Sequence, residues 1–446
     1  MTSALHRQPI SRLDWRLLAY NAAIILAFPV LVAYALWRLV AVSKVRGGWT
    51  QRLGFMPALP PAQTRVWVHA VSAGEMQAAA PVCSALLEKI PGCQLILSTA
   101  TPAGKKVALT RIPQAAAVLY FPLDVRFCVV RALDAIRPDV CLLIEKELWP
   151  NFLAAAKQRA VAVAVLSARI SRRSLRRSRP LRGFLKWAMG FVDLFAAQTQ
   201  RDAFLLSYLG CPAEKITVCG NVKFDQRLKR LSQQERSELR SLLGLRNDEP
   251  LIVAGSTHPG EEQTLLEALA IIRAEIPSVR LLVAPRRIDR AGQVEALIAR
   301  AGLRCLRRTQ AVGRTTTPDT VIILDTMGEL AGFYGLGEVS FVGGTLVPIG
   351  GHDLLQPVAH GLAVFFGPQT FALPEVAAAL LEAGVGFRVS GSRELAEGIG
   401  AIVSNQHKRE EIRRAAASFL DKHRGASARC ASAVAGLLHH AATPHS

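Results

Sequence analysis

Val66-Trp67-Val68-His69-Ala70-Val71-Ser72-Ala73-Gly74-Glu75 is the stretch on which the fold turns. It starts as an apolar, β-branched run, the pattern of a buried parallel strand. Small residues follow, and a helical pattern opens at Met76-Gln77-Ala78-Ala79-Ala80, with Pro81 expected in an early turn. In an open α/β sheet, ligands bind beyond the carboxyl ends of the strands. Glu75 falls at that edge, beside a glycine that lets a substrate approach the backbone. An acid in the first turn of a helix also answers the helix dipole, so Glu75 alone does not separate a cap from a catalytic group.

Outward from this stretch the alternation continues. Strands are expected at 65–70, 94–99, 117–121, 139–145, 161–166, 192–197 and 216–219, with amphipathic stretches between several of them. Residues 226–249 are polar and strandless, which reads as a linker helix. A second alternation places strands at 251–255, 279–284, 321–325, 338–342 and 363–366. The expectation is an α/β protein of two Rossmann-like domains facing a cleft, residues 47–225 and 250–403, with a helical tail over 404–446.

Ahead of them, residues 1–46 read as a membrane anchor. Leu17–Trp37 carries no charge, and a helix of those residues would be about 31 Å long, enough to cross or deeply enter a bilayer. Trp15, Tyr20, Tyr34 and Trp37 lie near its ends as interfacial residues do, and Pro29 would kink it. The flanking arginines and lysines mildly favour the C-terminal side as cytoplasmic.

The 446 residues carry 54 Lys and Arg against 34 Asp and Glu, a formal charge of +20. Such an excess suits an anionic membrane surface, phosphorylated substrates or nucleic acid. Aromatics make up only 6% and do not interleave with the basic residues, which disfavours single-stranded nucleic acid. Arg159–Lys186 contains nine basic residues and no acid, with Phe184 and Trp187 near its end, and reads as a surface for anionic lipid. The eight cysteines are scattered without a C-x-x-C pair, so neither a zinc site nor a disulfide frame is expected.

Chemistry-bearing residues gather at expected strand ends. Asp139–Ile144 runs into Glu145-Lys146-Glu147-Leu148-Trp149-Pro150-Asn151, two acids that can orient a hydroxyl or stabilise a cationic sugar, unless one pairs with Lys146 or Arg169. Gly220-Asn221-Val222-Lys223-Phe224-Asp225 would hang Lys223 into the cleft to meet a phosphate or carboxylate. In the second half, His258 ends Ala254-Gly255-Ser256-Thr257-His258, and Arg286-Arg287 follows Pro285 as a candidate phosphate or carboxylate clamp. The glycines of Gly343–Gly351 would offer backbone N–H groups to an anion.

With these stretches in hand, nearly the whole chain resembles the Kdo transferases, the 3-deoxy-D-manno-octulosonic acid transferases of lipopolysaccharide assembly. The resemblance rests on HAVSAGE (69–75), ELWPN (147–151), GNVKFD (220–225), AGSTH (254–258), PR (285–286), DTMGEL (325–330), GGTLVPIGGH (343–352) and FGP (366–368), in that order. It implies a GT-B, metal-independent, inverting glycosyltransferase without a cofactor, at the cytoplasmic face of the inner membrane. The donor would be CMP-Kdo and the acceptor the tetra-acylated lipid A precursor. By position, Glu75 matches the family's general base, and Glu145 and Lys223 match its transition-state stabilisers. Pro285, Arg286, Met327, Gly328, Glu329 and Asp353-Leu354-Leu355-Gln356 match its donor contacts.

The sequence departs from the family pattern at Lys146, usually Thr, at Arg287, usually His, and at Asp353 and Gln356, usually Asn and Glu. An acid in place of an amide could repel an anionic donor. A different nucleotide sugar or acceptor, or a non-catalytic lipid-binding relative, are therefore the competing readings; retention of Glu75, Glu145 and Lys223 speaks against the last.

Overall fold

A computed structural model describes residues 14–27, 48–145, 147–170, 181–226, 231–311 and 316–442. The chain divides into two compact units, residues 1–226 with 423–446, and residues 227–422. Among the described residues each unit holds a seven-stranded parallel sheet.

In the first unit the strands are β1 (Thr64–His69), β2 (Cys93–Thr99), β3 (Ala117–Tyr120), β4 (Val140–Ile144), β5 (Ala162–Ala168), β6 (Leu194–Ala197) and β7 (Ile216–Val218), in the order β3-β2-β1-β4-β5-β6-β7. β1 pairs with β2 on one side and β4 on the other, so the strand order reverses there. The period of two along β1 sends Val66 and Val68 to one apolar layer and Trp67 to the other. Trp67 is fully buried against Phe152 and Phe121, and its indole N–H donates to Ser98 Oγ at 2.8 Å. His69 belongs to the same packing: burial drives its proton affinity down, to a pKa of about 3, so it is a neutral core ring.

The helix after β1 spans Ala73–Lys89, with Ser72 as its cap accepting from the Glu75 N–H at 3.3 Å. It starts earlier than the apolar pattern indicates, so Pro81 lies further inside the helix than the early turn expected of it. The last helix, Ala426–Ala442, packs on it. Asp225 ties that helix down by accepting from the Gly425 and Ser427 N–H groups at 2.7 and 2.5 Å. The expected C-terminal tail is thus split: helix Gln406–His423 lies almost wholly within the second unit and Ala426–Ala442 with the first.

In the second unit the strands are β8 (Leu251–Thr257), β9 (Arg280–Pro285), β10 (Arg304–Arg307), β11 (Thr320–Ile323), β12 (Val339–Val342), β13 (Ala363–Phe366) and β14 (Gly386–Arg388), in the order β10-β11-β9-β8-β12-β13-β14. Here the order reverses between β8 and β12. Of the segment read as a linker, 226–249, residues 227–230 lie outside the described set, and its helix Gln233–Leu242 is part of this unit. A Ser232–Glu235 capping box opens it. Buried Arg240 donates to the Leu336, Arg246 and Glu249 carbonyls. The polar composition that reads as a linker helix thus includes an arginine spent on backbone acceptors.

No helix among the described residues is long and apolar enough to cross a membrane. Of Leu17–Trp37, residues 28–37 lie outside the described set, while residues 15–27 are helical and one face is docked on the first unit. Leu17 enters the core, Tyr20 O–H donates to Asp124 at 2.9 Å, and Asn21 exchanges two hydrogen bonds with Asn151 at 2.9 and 3.0 Å. Trp187 Nε1 donates to Asp14 at 2.5 Å. The opposite face is apolar and open, with Trp15, Leu18, Ile25 and Leu26 exposed.

Candidate active site

The carboxyl edge of the first sheet, where β1 and β4 run side by side, collects three acids and a lysine. Glu75 sits in the first turn of Ala73–Lys89, and its Oε2 accepts from the Val71 N–H at 2.7 Å. The group is therefore a cap and an edge acid at once. Its proton affinity is raised chiefly by burial, opposed by the Val71 hydrogen bond and reinforced by the charge of Glu145.

Glu145 follows β4 with φ at 68°, a left-handed conformation that costs a non-glycine residue about 1–3 kcal/mol. Its backbone N–H is fixed on the Leu166 carbonyl at 2.9 Å, and Lys223 Nζ donates to its Oε1 at 2.7 Å. The pair is half-screened, with side chains 14% and 34% exposed. Glu145 thus pairs with Lys223. Lys223 is aimed by its own turn, since Asn221 Oδ1 accepts from the Lys223 N–H at 3.0 Å.

Glu147 is the strand-end acid to which the family resemblance gave no role of its own. Burial, then the charges of Glu75 and Glu145, push its pKa up to about 6. Glu147 and Glu75 thus both have their proton affinity raised chiefly by burial. The remaining ELWPN residue, Asn151, is structural: its side chain donates to the Asp124 carbonyl at 2.6 Å, and the Asp124 carboxylate caps the next helix through the Asn151 and Phe152 N–H groups.

In the second unit the glycine turn after β12 differs from expectation. The N–H groups of Gly344, Thr345 and Leu346 are already bound by the fully buried Glu261 carboxylate at 2.8, 3.0 and 3.0 Å, and His258 N–H binds it at 2.9 Å. The turn is an anion nest filled from within the chain, so those amides are not open to a ligand. What it presents instead is His352, whose Nε2 lies 2.8 Å from His258 Nε2.

The other strand ends are more open. Arg286 is exposed after β9, its N–H fixed on the Thr257 carbonyl at 3.0 Å, and Pro285 is buried. Arg287 forks onto Asp289 at 2.6 and 3.2 Å. Met327 and Gly328 are exposed at a turn with Gly328 at φ 89°, while the Glu329 carboxylate is held by Thr326 and Arg308. Asp353 accepts from the Leu355 N–H at 3.0 Å and from Gln356 at 3.3 Å, which turns its charge toward its own short helix. Leu354 and Leu355 are buried, so only their backbone could meet a ligand.

The family profile described as 3-deoxy-D-manno-octulosonic-acid transferase (kdotransferase) matches residues 47–226. A 3-deoxy-D-manno-octulosonic acid transferase of Haemophilus influenzae is 30% identical over 416 residues, 92% of this chain and 96% of the relative. One of Bordetella pertussis is 31% identical over 417 residues, 90% and 95% of the two chains. The chain belongs to the Kdo transferase family. Its members are glycosyltransferases, and so is this enzyme. Among solved structures, the UDP-GlcNAc 2-epimerase of Neisseria meningitidis matches with a TM-score of 0.59 at 11% identity, covering 84% of this chain and all of that one. That likeness concerns the fold of two parallel-sheet α/β units, the GT-B kind. The acids and lysine of this Kdo transferase fall within the matched region 47–226, and the arginine and histidines in the second unit.

Proposed function

We propose that the enzyme transfers Kdo from CMP-Kdo to the tetra-acylated disaccharide precursor of lipid A with inversion. The acceptor hydroxyl gives its proton to the Glu75 carboxylate while its oxygen bonds to the anomeric carbon of Kdo. The bond from that carbon to the phosphate oxygen breaks, and its electron pair leaves with CMP. Glu145 faces the positive charge that develops on the sugar, and Lys223 offsets negative charge on the donor. Arg286, the Met327–Glu329 turn and residues 353–356 would receive the nucleotide.

The observation that carries this reading is the acid cluster of the first unit. Glu75 is a half-buried carboxylate of raised proton affinity, and the only lysine bonded in the cluster is on Glu145 among the described residues. Residues 15–27 support a membrane setting, because their open face is apolar while the opposite face is docked. In this reading the open apolar face of residues 15–27 meets the inner membrane, with the first unit on its cytoplasmic side.

The test is incubation of the enzyme with CMP-Kdo and lipid A precursor, with mass analysis of the lipid. The wild type should add Kdo. Glu75→Gln should lose at least about 100-fold in rate and still be stabilised by CMP. Near-normal turnover by that variant removes the general base, and stabilisation by a uridine nucleotide instead of CMP removes the donor.

A further inference from the structure

His258 and His352 lie 94 residues apart and meet where the second sheet reverses its strand order. Their Nε2 atoms are 2.8 Å apart and the ring planes differ by 3°. One anchor holds both, since Glu261 binds the His258 amide and the Gly344–Leu346 amides. Gly344, at φ 72°, lies against the His352 ring, where an added Cβ would come within 3.1 Å of Cδ2.

Two imidazole nitrogens at this distance share one hydrogen. As neutral rings, one donates from Nε2 and the other accepts, which leaves a free lone pair on Nδ1 of the donating ring. One further proton fits there without breaking the pair and makes its hydrogen bond charge-assisted. A second would set N–H against N–H. Burial and then the positive charge of Arg286 oppose uptake, holding His352 down at about 4. The neighbouring carboxylates do little to reverse this: Glu261 is taken up by four amides, Asp353 accepts from Leu355 and Gln356, and Glu262 is paired with Arg290 at 2.8 Å. An anion against Arg286 would cancel its repulsion and favour the protonated pair.

We propose that the His258–His352 pair is a proton-coupled phosphate contact, neutral in the free enzyme and singly protonated once a phosphodiester rests on Arg286. This deepens the donor reading above and rests on it. The phosphate, which gains a negative charge as it leaves the sugar, then meets two positive groups instead of one.

The experiment is calorimetric titration of the full chain with cytidine 5′-methylphosphate, a diester that does not itself titrate near neutrality. It is run at pH 7 in buffers of different ionisation enthalpy. We expect uptake of about 0.7 to 0.9 proton per bound diester at pH 7 and a three- to tenfold weaker affinity at pH 8.5. His352→Gln and His258→Gln should each abolish the uptake and flatten the pH dependence. Binding without proton uptake by the wild type overturns the proposal and leaves the donor reading standing. Uptake that survives in both variants also overturns it, and a wild type that fails to bind the diester overturns both.

Discussion

Replacing Glu261 by alanine takes the acceptor from four backbone amides at once. The Gly344 and Thr345 amides belong to buried residues, those of His258 and Leu346 to half-buried ones. An amide left dry costs about 1–3 kcal/mol, and one that water reaches loses about 0.5–1.5 kcal/mol. Two of each give a loss of about 6 kcal/mol at mid-range. Removing a buried charge recovers a few kcal/mol of desolvation, so the net expectation is a destabilisation of about 3–4 kcal/mol. For a unit of this size that lowers its Tm by about 10 °C.

All six tryptophans lie before residue 188, outside the second unit, so their fluorescence reports the first unit. Far-UV circular dichroism during urea unfolding, with hydrogen exchange of the peptide spanning 340–347, reads the second. Glu267→Ala, on the exposed face of the helix Glu261–Glu275 that Glu261 opens, is the control and should change stability by less than about 0.5 kcal/mol. A loss below about 1 kcal/mol with the 344–346 amides still protected would refute the nest as the organiser of the glycine turn.

Three further expectations follow from the first unit. Glu147 has a raised pKa, so its folded-state contribution is fully present below pH 4.5 and is lost as pH rises through about 6. Glu147→Gln should therefore be more stable than wild type by about 1 kcal/mol at pH 8, after discounting for solvent screening, with the difference gone below pH 4.5 in urea titrations. Lys223→Met leaves the Glu145 charge beside two other acids, and should cost about 1–2 kcal/mol of stability. Adding Glu145→Gln should recover most of it in a double-mutant cycle, and strict additivity would mean that the 2.7 Å pair contributes nothing. Asn21→Ala breaks both bonds to Asn151, and limited proteolysis should then cut within residues 15–27 at least several-fold faster while the sheet core stays protected.

The strands that run deep in each sheet were legible because burial on both faces leaves an apolar run. β10 (Arg-Cys-Leu-Arg) and β14 (Gly-Phe-Arg) were missed because they are short edge strands whose side chains are partly exposed. The positions of Glu75, Glu145 and Lys223 at strand ends followed from local pattern, but the choice of Glu145 as the lysine's partner did not. It depends on contacts across 78 residues and on the left-handed turn at Glu145. The glycine turn was misjudged for the same reason: its anion is Glu261, more than 80 residues upstream. Glu261 and Glu262 read locally as ordinary acids of a first helical turn.

The pairing of Lys223 with Glu145 rather than Glu75 is what keeps the proposed base usable. At about 4 Å and an effective dielectric near 20, one lysine charge stabilises a carboxylate by about 4 kcal/mol. That corresponds to about 3 pKa units. A Glu75 bonded to Lys223 would fall far below the ordinary carboxylate range and would draw weakly on a sugar hydroxyl. Instead the cation is bound to Glu145, and Glu75 keeps a proton affinity raised by burial. Moving the lysine should therefore do more harm than deleting it. In Lys223→Ala with a lysine introduced at position 147, the acidic limb of kcat/KM should shift to lower pH and the plateau rate should fall; a limb that stays in place would mean that Glu75 is not the group that titrates.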